Sequence, residues 1–152
     1  MGYFKSFILI SYIMNPTKFE YFDVTADIGV KVWGTNVNEL FENTAIAVTS
    51  LMINPLTIEK KIVKDLFIEG NNISSLLVNW ITELLIIRDS EGILFRSFEV
   101  NVSNDRKSLN AENWGEYVMG KNLEMDIKAI TYSLFKLEKE NEHYYLQFVL
   151  DI

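Results

Sequence analysis

Four acidic groups sit where carboxylates need a physical reason. Asp23 and Asp27 are set into the apolar stretch "FDVTADIGV", and at the other end "VLDI" contributes Asp151 and the α-carboxylate of Ile152. Aspartate is a poor strand former and is costly to bury without partners. Asp23 and Asp27 are four positions apart, so in one continuous strand both would point to the same face. If the last strand lies near the first, the carboxylates of Asp27, Asp151 and Ile152 converge at the strand ends. Their mutual repulsion then calls for a cation, and hard oxygen donors select Ca²⁺, Mg²⁺ or Mn²⁺. A second account stands beside this one: Asp27 caps a turn and Asp151 belongs to a frayed terminus.

The remaining composition excludes much else. There is no cysteine and a single histidine, His143, so thiolate metal sites, disulfides and the usual zinc sites are ruled out. A Ser-His-Asp triad would have to use His143, which lies at a turn beside Glu142, and no nucleophile-elbow pattern accompanies it. That histidine reads as a solvated surface residue. The seven glycines form neither a P-loop nor a dinucleotide fingerprint, and no acidic loop matches an EF-hand. A formal net charge of −7 argues against direct nucleic-acid binding, which needs a basic footprint, and suits a basic protein partner or a bound cation.

These acids need a scaffold, and 152 residues with 49% apolar content make one soluble globular domain with a real core. Phe19 to Gly34 reads as one strand. "NVNELFENTAIAVTSLMINP" carries a helical stripe through Leu40, Phe41, Thr44, Ala45, Val48, Leu51 and Met52, with Thr35 or Asn36 as cap and Pro55 as stop. "TIEKKIVKDLFIEG" alternates as a half-buried strand. The second helix runs from Asn72 to the Ser90-Glu91-Gly92 stop. "ILFRSFEVNV" reads as a strand, "SLNAENWGE" as a weaker one, and "DIKAITYSLFKLEKE" and "HYYLQFVLDI" as antiparallel neighbours around Glu140-Asn141-Glu142. The fold expected is α+β: two helices packed on one face of a mainly antiparallel, mixed β-sheet in a single compact domain. At the front, "MGYFKSFILISYIM" is too short to span a membrane and lacks a small-x-small cleavage site. Residues 1–18 read as an N-terminal extension with Met14 as the alternative start, and 19–152 as the domain.

The domain resembles the archease family. The signature usually reading D-H-T-A-D-I/V is matched by "FEYFDVTADIGVKVWG". "ELFENTAIAVTSLM", "LLVNWITELLIIRDSEGILF", "NWGE", "KAITYS" and the terminal "DI" follow at family-like spacing. The position of that signature near the family's amino terminus is what favours Met14 as the start. The lack of cysteine fits a reducing cytoplasm, and the resemblance implies an accessory protein, not a stand-alone enzyme. It would assist the GTP-dependent tRNA-splicing RNA ligase, speeding formation of the guanylate on the ligase histidine and allowing repeated turnover. The alternative it carries is chaperone-like help to a tRNA cytosine methyltransferase, with a structural metal. The family's metal ligands map onto Asp27, Asp151 and the carboxylate of Ile152, with Ca²⁺ foremost. Lys128 would reach a phosphate or an acidic group in the partner, and its bland role is an exposed strand lysine that discourages edge pairing. Trp114 and Glu116 match too, as a packed aromatic beside a turn glycine. The histidine of the signature is replaced by Val24, and Ser133 is one of two residues the family uses after Tyr132. A phosphodiesterase built on the carboxylate-bound metal is a weak third reading, since no second metal cluster or general acid is evident.

Overall fold

The computed structural model describes residues 18–152. The alternative start at Met14 lies outside the described residues. In chain order the elements are β1 (Phe19–Val24), β2 (Asp27–Gly34), α1 (Val37–Met52), a 3₁₀ turn (Pro55–Thr57), β3 (Ile62–Glu69), α2 (Ile73–Glu91), β4 (Ile93–Val102), β5 (Ser108–Tyr117), β6 (Ala129–Glu140) and β7 (His143–Asp151). The α+β class, the antiparallel pairing and the two helices are as the sequence reads. The strands divide into two sheets, ordered β1-β2-β7-β6 and β3-β5-β4.

The division has a local cause. β4 is an edge strand, and α1 occupies its free side. Glu42 Oε2 accepts the Val100 N–H at 2.9 Å, and Asn38 Oδ1 accepts the Val102 N–H at 2.8 Å. Backbone donors that would otherwise recruit another strand are thereby satisfied. Partial burial among neighbouring carboxylates raises the Glu42 pKa, and the Val100 N–H opposes that shift.

Both helices start where side chains replace the missing backbone partners. Asn36 accepts the Glu39 N–H at 2.9 Å, and Asn72 and Ser75 form a reciprocal capping box. α2 stops at Gly92, whose φ of 70° suits glycine. The stripe Leu40, Phe41, Ala45, Val48 and Met52 is buried, and large side chains of this kind contribute roughly 1.5–3 kcal/mol each. α1 packs on β2 and β4, and α2 on β3, β4 and β6. The Trp80 indole N–H donates to the Phe41 carbonyl at 3.1 Å and ties the helices together. Among the described residues no helix is long and apolar enough to cross a membrane.

Two strand readings change. The stretch 19–34 is a hairpin, because Thr25 and Ala26 turn the chain and Val24 pairs with Asp27. Ala26 has a φ of 62°, which costs a non-glycine residue about 1–2 kcal/mol. The weakly marked "SLNAENWGE" is β5, the central strand of its sheet.

Candidate functional site

The hairpin changes the geometry of the acids. Asp23 pairs with Ile28 and Asp27 with Val24, so Asp23 and Asp27 project from opposite faces. The same-face expectation assumed a continuous strand, and the turn removes it. Asp27 instead finds a neighbour across β7. β2 and β7 pair antiparallel from Gly34↔Tyr144 to Ile28↔Leu150. One further step of that register sets Asp27 opposite Asp151, which itself pairs with Ala129 of β6. Val24, Asp27, Asp151 and Ala129 therefore form one cross-strand row at the end of the four-stranded sheet.

The row is extended by the backbone. The Lys128 N–H donates to the Asp151 carbonyl at 2.7 Å, which holds Lys128 at the same end of the sheet with its side chain exposed. Asp27 is half-buried and Asp151 exposed. The Ile152 side chain packs against the core, which fixes the last residue beside Asp151. Directly opposed side chains in a sheet stand about 4.5–5.5 Å apart at Cβ, and like charges so placed are destabilising. No ion pair among the described residues involves Asp27 or Asp151. Two opposed, unpaired carboxylates fit a hard divalent cation. Among the described residues no three His, Asp or Glu side chains gather into a metal-binding group. The acidic row supplies two such side chains, Asp27 and Asp151, with Ile152 next in the chain. Val24, where the family histidine would stand, places an apolar side chain next to Asp27.

The other singled-out residues lie elsewhere. His143 opens β7 at the end opposite Asp151, and its Nδ1 lies 3.3 Å from the Asn141 carbonyl. Trp114 and Glu116 belong to β5, in the other sheet. Gly115 between them lies within the strand, so it is not a turn glycine. A Cβ there would sit 2.0 Å from the Leu94 carbonyl oxygen. The Lys60 ammonium lies 5.9 Å from the Trp114 ring. Glu116 is buried, accepts the Glu59 N–H at 2.5 Å and pairs with Lys121 at 3.2 Å. The Glu59 N–H first, and Lys121 second, hold its carboxyl below the ordinary value of 4.5. A depressed folded-state pKa stabilises the protein above the unfolded value and ceases to do so as pH falls through the folded one. Melting temperature is thus expected to fall as the solution is acidified below 4.5. In Glu116→Gln that dependence should be shallower, as a pH series of thermal melts would show.

A model of the Archease protein family (MTH1598/TM1083) matches residues 19–152. The chain belongs to the archease family. The archease of Sulfurisphaera tokodaii is 40% identical over 137 residues, covering 89% of this chain and 99% of the relative. That of Pyrococcus abyssi is 40% identical over 126 residues, covering 80% and 89%. The solution structure of Methanobacterium thermoautotrophicum protein 1598 superposes with a TM-score of 0.76 at 32% identity, covering 89% of this chain and 99% of that one. The crystal structure of a Thermotoga maritima archease, named a possible chaperone, shares the fold with a TM-score of 0.61 at 18% identity, covering 88% and 96%. The archease signature of this chain thus spans the β1–β2 hairpin, and its final "DI" lies across the sheet from that hairpin.

Two features of the site end were missed in the sequence. Thr25-Ala26 carries no glycine or asparagine to signal a turn. β6 also contains an irregularity between Thr131 and Lys136 that its apolar and polar pattern does not announce.

Proposed function

We propose that this archease is an accessory protein that activates a GTP-dependent tRNA-splicing RNA ligase by promoting guanylylation of the ligase and its repeated turnover. The observation that carries the reading is the cross-strand row, which brings Asp27 and Asp151 together with Lys128 at one end of the sheet. Asp27, Asp151 and the α-carboxylate of Ile152 would hold a divalent cation, Ca²⁺ foremost, with Mg²⁺ or Mn²⁺ as alternatives. Bound there, such an ion would neutralise the opposed acids and supply positive charge toward an anionic group of the partner. Lys128, exposed beside Asp151, adds a flexible cation that can meet a phosphate or carboxylate. The acidic surface suits a basic, RNA-binding partner.

The test is the rate at which a purified tRNA-splicing RNA ligase becomes guanylylated with GTP, with and without this protein. Acceleration is expected. Lys128→Ala should lose most of it while keeping its cation affinity and a stability within about 0.5 kcal/mol of wild type, since the side chain is exposed. A folded, cation-loaded wild-type sample that leaves the rate unchanged would overturn the reading. The alternative partner, a tRNA methyltransferase, would then be the next to assay. Full acceleration by Lys128→Ala would leave that residue as an exposed lysine just ahead of β6.

A further inference from the structure

The outer strand of the four-stranded sheet departs from regular pairing next to the acidic row. β6 pairs with β7 at Thr131↔Val149 and resumes at Lys136↔Gln147. Tyr132, Ser133, Leu134 and Phe135 therefore stand against Phe148 alone, so the strand carries a bulge of four residues against one.

The bulge is a held structure. Thr131 Oγ1 donates to the Val149 carbonyl at 3.0 Å and accepts the Ser133 N–H at 3.3 Å. Gln147 Nε2 donates to the Leu134 carbonyl at 2.9 Å. Phe135 packs on the core, with the Tyr132 ring 5.4 Å away. Leu134 is fixed at a φ of 54°, a left-handed conformation that a branched side chain avoids. This scaffold presents two large apolar side chains to solvent: Tyr132 is 57% exposed and Leu134 54%.

A bulge that only protects an edge works as well with polar or charged residues at its crest. Here the strained position carries leucine beside an exposed tyrosine, and exposed lysines, Lys128 and Lys136, flank the pair. The bulge begins soon after Ala129, the residue paired with Asp151, so it adjoins the acidic end of the sheet. Apolar anchors within a polar rim are the usual build of a protein-binding hot spot. We infer that Tyr132 and Leu134 are docking anchors that seat in an apolar recess of the RNA ligase and bring the Asp27–Asp151 end to its nucleotide site. This inference rests on the ligase-activation reading and names the contact surface for it.

Two variants separate docking from folding. Asparagine tolerates the left-handed conformation, so Leu134→Asn should melt no lower than wild type. Tyr132→Ser removes the second anchor from a largely exposed position. Each should raise the protein concentration needed for half-maximal stimulation of ligase guanylylation about tenfold or more, with the maximal rate preserved at saturation. Direct binding of the purified ligase should weaken by the same factor, read by surface plasmon resonance. Unchanged half-stimulating concentration and unchanged binding in both variants would overturn the inference and leave the bulge as edge protection. If wild type binds the ligase without stimulating it, activation falls, and the anchors stand or fall on the variants' binding. If wild type does neither, both proposals fall.

Discussion

Asp27→Ala is expected to lower Ca²⁺ affinity by on the order of 100-fold or more, because it removes one of the three anionic donors of the proposed hard-cation site. The fold should survive, since Asp27 lies at the first position of β2, next to the turn, and has no ion-pair partner among the described residues. In the metal-free protein the substitution should slightly raise the melting temperature by removing the repulsion between Asp27 and Asp151. Isothermal titration with Ca²⁺, paired with melts of the metal-free protein, reads both effects. A short extension placed after Ile152 is a second arm. It converts the α-carboxylate into a neutral amide and should weaken binding comparably, whereas a tag placed before Met1 should not. Equal Ca²⁺ affinity in wild type, Asp27→Ala and the carboxyl-extended chain would dispose of the site.

Gly115→Ala is expected to be the most damaging single added methyl among the described glycines. The added Cβ would lie 2.0 Å from the Leu94 carbonyl oxygen and 2.7 Å from Phe95 Cα, both main-chain atoms of β4 that no rotamer change can move. The register of β4 against β5 is also irregular between Phe95 and Ser97, next to this contact. Relief requires separating the central strand from its neighbour. A loss exceeding about 4 kcal/mol is expected, a large share of the 5–15 kcal/mol typical of a domain. Gly92→Ala is the control: its φ is 70° but an added Cβ meets nothing within 4 Å, so the cost should stay near 1–2 kcal/mol. Urea unfolding of both variants would decide the matter, and similar midpoints for the two would contradict the packing argument.

The contrast between these two glycines shows what the sequence could and could not reveal. Gly92 follows a helical apolar stripe, and a glycine there is a local signal that was legible. Gly115 looks like half of a turn motif, yet it is set by the approach of a strand distant in the chain. The helices were legible because Asn36, Asn72 and Gly92 mark their ends and the apolar spacing marks their faces. The hairpin within 19–34 was not, because both of its strands are apolar enough to read as one and its turn uses Thr25 and Ala26. The partnership of Asp27 with the chain end was anticipated as a condition on strand proximity, and the β2–β7 register meets that condition for Asp27 and Asp151. The face assignment of Asp23 failed with the assumed continuous strand. The bulge of β6 stayed hidden because three extra residues in one strand leave no trace in the pattern of that strand alone.

The placement of β7 between β2 and β6 also bears on how the protein reaches its native state. β6 and β7 are joined through Asn141 and Glu142, both at positive φ, a tight reversal that can close early because its contacts are local. The Ile28↔Leu150 pairing instead joins residues about 120 positions apart, and such closure is slow and depends on the intervening chain being organised. The two halves of the acidic row therefore meet only when the chain's distant ends have been brought together. An unfolded or half-folded molecule offers no such meeting point, so an ion captured there would select the finished fold. At a free-ion concentration 100 times its dissociation constant, that selection would add about 2.7 kcal/mol to apparent stability. The ion proposed for partner activation would then also favour the finished fold over partly folded copies.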